Sequence, residues 1–247
     1  MTTASVASAR VSVRDGRLTW ASTPPVVLRR TGPRQVHVIA VGGGPLGGDQ
    51  LRLTVDVGPG EQLTVHSAAA TVVQPGREPG AVASFAVEAT VAGEFVWRPE
   101  PTVVCDRAVW APSISLHVAG GARAQVLEQL VLGRAGQRGG RCSSSMSVAV
   151  DGRPLLATTT VLDGADPGLS GIGGTAGGRS VGTVLEVGDA PGTEDGGEDG
   201  DVTWARTPLD GPGSLLSAVG TVRGVARVLG ANAERTPAGV ATGSGDR

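Results

Sequence analysis

The sequence predicts a mainly β fold, either a sandwich, a barrel or another wound sheet. Three observations carry that expectation. Apolar and polar residues alternate through much of residues 4–163, the period of a half-buried strand. Turn-forming clusters punctuate these runs at short intervals. Gly and Pro supply 40 and 16 of the 247 residues. Each interior Gly costs a helix about 1 kcal/mol and each Pro about 3, which disfavours a helical bundle.

The elements follow in chain order. A first run, 11–18, is broken by the turn signal Arg14-Asp15-Gly16-Arg17, and a second covers 36–41. Leu51, Leu53, Val55 and Val57 then alternate with Arg52, Thr54 and Asp56. Gly58-Pro59-Gly60-Glu61 follows, and Leu63 and Val65 resume the pattern, which reads as a β-hairpin. Further strands are expected at 82–91, 94–98, 114–118, 146–150 and 155–161, with turns at Ala119-Gly120-Gly121 and Asp151-Gly152-Arg153-Pro154. Residues 123–133 support two readings. Leu127, Leu130 and Val131 share one helical face, whereas Val126-Leu127 and Leu130-Val131-Leu132 suit a strand, which the wound-sheet context favours.

After Asp163 the composition changes. Residues 164–178 are Gly-rich and nearly uncharged, and 186–201 hold seven acidic residues and no basic one. The expected division is an all-β core over 1–163, a Gly-rich then acidic mobile loop over 164–201, a strand and helix packed on the core over 202–230, and a disordered tail over 231–247. Within the third part 202–206 reads as strand. Residues 215–229 read as helix, with Leu216, Val219, Val222, Val225, Ala226 and Leu229 on one face.

Composition narrows the function classes. No run of about 20 apolar residues is present, so no membrane-spanning helix is expected. The opening residues lack the charged-then-apolar pattern of a secretory signal, and a cytoplasmic protein is the expectation. A formal net charge of −2 argues against nucleic-acid binding. Two cysteines, Cys105 and Cys142, are too few for a disulfide scaffold or a closed zinc site, and read as small buried residues. Lys and Tyr are missing altogether; GC-rich codon usage gives the same result, so no anion site is read from the arginines.

Gly42-Gly43-Gly44-Pro45-Leu46-Gly47 formally satisfies G-x-G-x-x-G, but a dinucleotide site needs a helix to spring from that loop. Here an alternating strand follows, with Asp49 at its mouth, and the nucleotide reading is rejected. His37, His66 and His117 sit on three separate strand candidates with no metal-ligand spacing. Ser143-Ser144-Ser145 lacks a nucleophile elbow. Glu100, held between Pro99 and Pro101, is either presented for contact or faces solvent. Glu128 lies within the apolar run 127–132 and needs a cation, a partner group or water, with Arg134 one structural partner. No enzyme is expected.

Five motifs in order resemble the urease accessory protein D family (UreD, also called UreH). They are Gly42-Gly43-Gly44-Pro45-Leu46-Gly47-Gly48-Asp49, the Ala-rich His66-Ser67-Ala68-Ala69-Ala70-Thr71, Trp97-Arg98-Pro99-Glu100-Pro101, the stretch from Glu128 to Arg134, and Asp151-Gly152-Arg153-Pro154-Leu155-Leu156. The resemblance implies a helically wound stack of short strands with one or two C-terminal helices. It also implies a non-enzymatic scaffold for nickel insertion into urease, with the urease structural subunits and accessory proteins F and G (the GTPase) as partners. Nickel would be in transit, with no tightly bound cofactor. Asp49 and Glu128, and more weakly Glu100, would line the passage.

A conduit has to admit an ion and also release it, so scattered carboxylates suit it better than clustered His and Cys. At about 4 Å in water one carboxylate attracts a divalent ion by roughly 2 kcal/mol. The other reading is a non-enzymatic β-sandwich module binding a small ligand or peptide, which requires an exposed aromatic cleft. A metal-dependent hydrolase would require His37, His66 and His117 to cluster.

Overall fold

Two sheets divide the chain between them turn by turn. The structure is a computed structural model and describes residues 6–188 and 194–234. A hairpin of β1 (Val6–Arg14) and β2 (Arg17–Ser22) begins the first sheet, and β3 (Val26–Gly32) with β4 (Gln35–Ala40) begins the second. The chain then coils: β5 (Gln50–Val57), β8 (Val82–Val91), β11 (Val109–Val118) and β13 (Arg141–Val150) stack in parallel in the first sheet. Between them β6 (Gln62–Ser67), β9 (Glu94–Arg98) and β12 (Arg123–Leu132) stack in parallel in the second. Short β7 (Thr71–Val73) and β10 (Thr102–Val104) extend β6 and β9, and β10 pairs with the last residues of β12.

The coil ends with β14 (Arg153–Asp163) folded back on β13, and a 3₁₀ turn (Pro167–Ser170) leads away from it. The second sheet is completed by β15 (Ser180–Val187), β16 (Asp195–Asp199), β17 (Val202–Pro208) and β18 (Gly213–Gly220), all antiparallel. One helix, α1 (Val222–Ala233), is capped by the Thr221 side chain, which accepts the Gly224 N–H. The architecture is the mainly β, helically wound stack expected, with a single C-terminal α-helix.

The stacking is in register. Leu53 lies beside Val87, Val87 beside Ile114 and Ile114 beside Met146; in the second sheet Leu63 lies beside Phe95 and Phe95 beside Ala124. These inward residues form the main core between the sheets. A separate cluster joins Val225, Val228 and Leu229 of α1 to Leu127, Val184 and Leu216 on the outer face of the second sheet.

The hairpin expected around Gly58 to Glu61 is not one. β5 and β6 lie in different sheets, and the turn is an arch between them. Alternation cannot separate the two cases, because hairpin and arch alike need one apolar face per strand. Glu61 pins this arch: its carboxylate accepts the Gly16 N–H and a guanidinium N–H of Arg34. Those contacts, the Gly16 bond first, hold its pKa below the ordinary carboxylate value.

The expected helix over 215–229 is also corrected. Residues 213–220 form β18, and the helix begins at Val222. Leu216 and Ala218, two residues apart, both join the cluster under α1, which is the strand period. The segment 164–201 differs from a continuous loop, since β15 is inserted between β12 and β18 and β16 pairs with β17 at the sheet edge. In the Gly-rich part, Thr175 anchors its backbone N–H and hydroxyl on the Leu169 carbonyl. Residues 231–233 belong to α1, while 189–193 and 235–247 lie outside the described residues.

Coil turns approach most closely at their corners. A Cβ at Gly93 would fall 2.2 Å from the Glu61 carbonyl oxygen, which is backbone that cannot move aside. Gly93→Ala is therefore expected to destabilise the fold by about 1–3 kcal/mol, read as a lower denaturation midpoint at pH 7. An unchanged midpoint would contradict the stacking. Glu61 contributes stability above the unfolded carboxylate pKa, and this is lost as pH falls through its lowered folded pKa. Glu61→Gln is expected to flatten the acid limb of stability against pH, measured by denaturant unfolding below pH 5.

Candidate functional site

The glycine-rich loop owes its shape to what it packs against. Leu46 bridges to Gln74, whose side-chain amide donates to the Gly43 carbonyl at 2.7 Å. Gly44 has φ +96, and a Cβ there would lie 2.1 Å from the Val72 carbonyl oxygen. The loop closes on Asp49, whose Oδ2 accepts the Leu46 N–H at 2.9 Å, and β5 rather than a helix follows. Asp49 is 5 % exposed. It lines a cavity of about 50 Å³ between the sheets, together with Pro25, Pro45 and Leu51.

A second cavity, of about 70 Å³, lies beside a gap in the second sheet. β12 pairs with β9 as far as Val126 and with β10 from Leu130. Opposite residues 127–129 the neighbouring chain carries Pro99 and Pro101, which have no N–H to donate and interrupt the ladder. On its other side β12 stays continuously paired with β15. Glu128 and Gln129 line this cavity with Ser67, Trp97 and Glu100. Glu100 is exposed at the gap, its N–H donating to the Ser67 hydroxyl at 2.8 Å. The two cavities share Val38, Thr71, Phe85 and Trp110 as common walls. Of the three acids named from the sequence, Asp49 thus lines one cavity while Glu128 and Glu100 line the other.

Glu128 is the chemically distinctive member. It is half-buried and lines the second cavity. Ser144 on β13 donates to it, with Oγ 2.8 Å from both Oε1 and Oε2. Arg134 is not its partner; that residue is exposed, and its carbonyl accepts from Arg179. Desolvation raises the Glu128 pKa against the smaller, opposite effect of the Ser144 bond. Thr183, directly across the β12–β15 ladder, has a buried hydroxyl with no hydrogen-bond partner. A raised carboxyl, a serine and an orphaned hydroxyl form a polar island able to receive a cation or water.

The third acid-adjacent group is a histidine pair. His37 and His66 face each other across β4 and β6 with rings stacked at 5.1 Å, whereas His117 is exposed on the other sheet, so the three do not cluster. Both cysteines are buried and free, and burial pushes the Cys142 thiol up, with Glu128 adding to the effect. Sequence reasoning missed Thr71, Phe85 and Trp110 as cavity walls and Ser144 as the partner of Glu128. Strand pairing over long sequence distances and the packing of the two sheets against each other bring these together. An exposed aromatic cleft does not form among the described residues, where Trp97 and Trp110 are buried and Trp20 is exposed alone on β2.

Comparison with known proteins decides the family. A family model described as UreD urease accessory protein matches residues 7–241. The chain belongs to the UreD family. Urease accessory protein UreD of Frankia alni is 40% identical over 204 residues, covering 74% of this chain and 67% of that protein. UreD of Parafrankia sp. is 37% identical over 221 residues (79% and 74%), and UreD 1 of Saccharopolyspora erythraea is 36% identical over 225 residues (85% and 86%). As a UreD protein it is a urease accessory protein and not an enzyme. No helix among its described residues is long and apolar enough to cross a membrane.

A raised carboxyl pKa means that Glu128 is stabilising below the unfolded pKa and loses that contribution as pH rises through its folded pKa. Each pKa unit corresponds to about 1.4 kcal/mol. Glu128→Gln, neutral and of the same shape, is therefore expected to match or exceed wild-type stability at pH 8, the difference shrinking toward pH 5. Parallel denaturation curves at both pH values provide the check, and a variant less stable at pH 8 would contradict the assignment.

Proposed function

We propose that this UreD protein scaffolds nickel insertion into urease apoprotein together with accessory proteins F and G, and that the ion passes between the two sheets. The observation that carries the reading is the pair of cavities with common walls, one lined by Asp49 and the other by Glu128 and, at the gap, Glu100. The ligand chemistry suits transit. Among the described residues no group of three or more His, Cys, Asp or Glu side chains could hold a metal ion. Single carboxylates attract a divalent ion without closing a coordination shell around it.

Glu128 adds a proton to the transfer. Burial raises the Glu128 pKa, so this carboxyl takes up a proton more readily than an exposed one, and an arriving cation favours its release. The Cys142 thiol, kept protonated beside it, offers no thiolate to trap the ion.

The test removes charge while keeping shape. Asp49→Asn retains an oxygen for the Leu46 N–H, and Glu128→Gln retains an acceptor for Ser144. Co-expressed with the urease structural subunits and proteins F and G, each variant is expected to give urease with nickel content lowered several-fold, at unchanged UreD abundance. Undiminished nickel per urease in both variants would overturn the passage.

A further inference from the structure

The outer face of the second sheet carries a pair of side chains that the inter-sheet passage does not use. β4 and β6 run parallel with His37 opposite His66, and their rings stack at 5.1 Å between centroids and 26° between planes. Nδ1 of His66 lies 3.2 Å from the Arg98 carbonyl oxygen. A carbonyl only accepts, so Nδ1 carries the proton and Nε2 keeps its lone pair. Nδ1 of His37 lies 2.7 Å from the Thr31 hydroxyl, which can accept in the same way. Neither Nε2 has a protein partner among the described residues.

We propose that His37 and His66 form a two-imidazole docking site for a first-row divalent ion, nickel being the relevant one, beside the gap at Pro99–Pro101. Both imidazoles are oriented through Nδ1 by an oxygen, the arrangement that fixes tautomer and direction in histidine metal sites. An ion about 2.1 Å from each Nε2 needs the two nitrogens within about 4 Å of each other, and the ring centroids stand 5.1 Å apart. Imidazole suits nickel, and two ligands leave the remaining positions to water, so the ion is held loosely.

The placement links this site to the interior. β6 leads from His66 into Ser67, whose hydroxyl holds the Glu100 N–H, and both residues line the cavity that contains Glu128. An ion leaving the imidazoles next meets the Glu100 carboxylate at the rim and Glu128 inside. That link rests on the passage proposed above; metal binding by the two histidines does not.

The experiment uses the full chain with isotope-labelled imidazoles and nickel chloride alone. Titration is expected to broaden the His37 and His66 signals first, with His117, exposed on the opposite sheet, responding only at about tenfold higher nickel. His37→Gln and His66→Gln are each expected to abolish this selectivity at an unchanged denaturation midpoint. Equal response of all three histidines, or undiminished selective binding in either variant, would overturn the site. Selective binding in vitro with normal urease loading in the double variant would overturn its role in transit while leaving Asp49 and Glu128 to their own test.

Discussion

Vertical register between successive coil turns governs this molecule. Each inward position in a parallel ladder sits on the same position of the turn before, so Leu53, Val87, Ile114 and Met146 form a continuous apolar column. Such a column tolerates no slippage, because a shift of one residue would turn every side chain to the opposite face. A polar feature inside must therefore be local and closed on both sides. The gap at Pro99–Pro101 meets that condition: pairing resumes within a few residues along β12, and β15 backs it without interruption.

Within that frame carboxylates are used in opposite ways. Glu61 and Asp56 are held by arginines and backbone, with pKa values below the ordinary range, and they fasten corners of the coil. Glu128 has only a serine and a raised pKa. An uncompensated acid is a poor stabiliser, since replacing such a group with a neutral isostere commonly does no harm to folding. Held between the sheets by a single serine, Glu128 does not fasten the fold as Glu61 and Asp56 do.

The sequence made the strands legible because alternation and turn chemistry are local. Runs such as 51–57, 82–91 and 94–98 match β5, β8 and β9, and Asp49, Glu100 and Glu128 stood out as acids in apolar or stiffened surroundings. What stayed hidden was set by pairing between residues far apart in sequence. The arch at Gly58 looks like a hairpin because both need the same residues. Leu216 and Val219 imitate a helical face although β18 alternates. Ser144 and Glu128, 16 residues apart and on different sheets, meet only because the interior is narrow. His37 and His66 become neighbours through a parallel pairing that neither strand encodes alone.

One consequence of the topology concerns growth. A stack of parallel strands has no intrinsic last layer, since each exposed rung presents the hydrogen-bonding pattern that the next one needs. Here the two main parallel stacks are flanked by reversed strands: β2 and β14 in the first sheet, β3 and the β15–β18 meander in the second. The outermost strands of the two main stacks are therefore antiparallel partners of their neighbours and not further rungs of the coil.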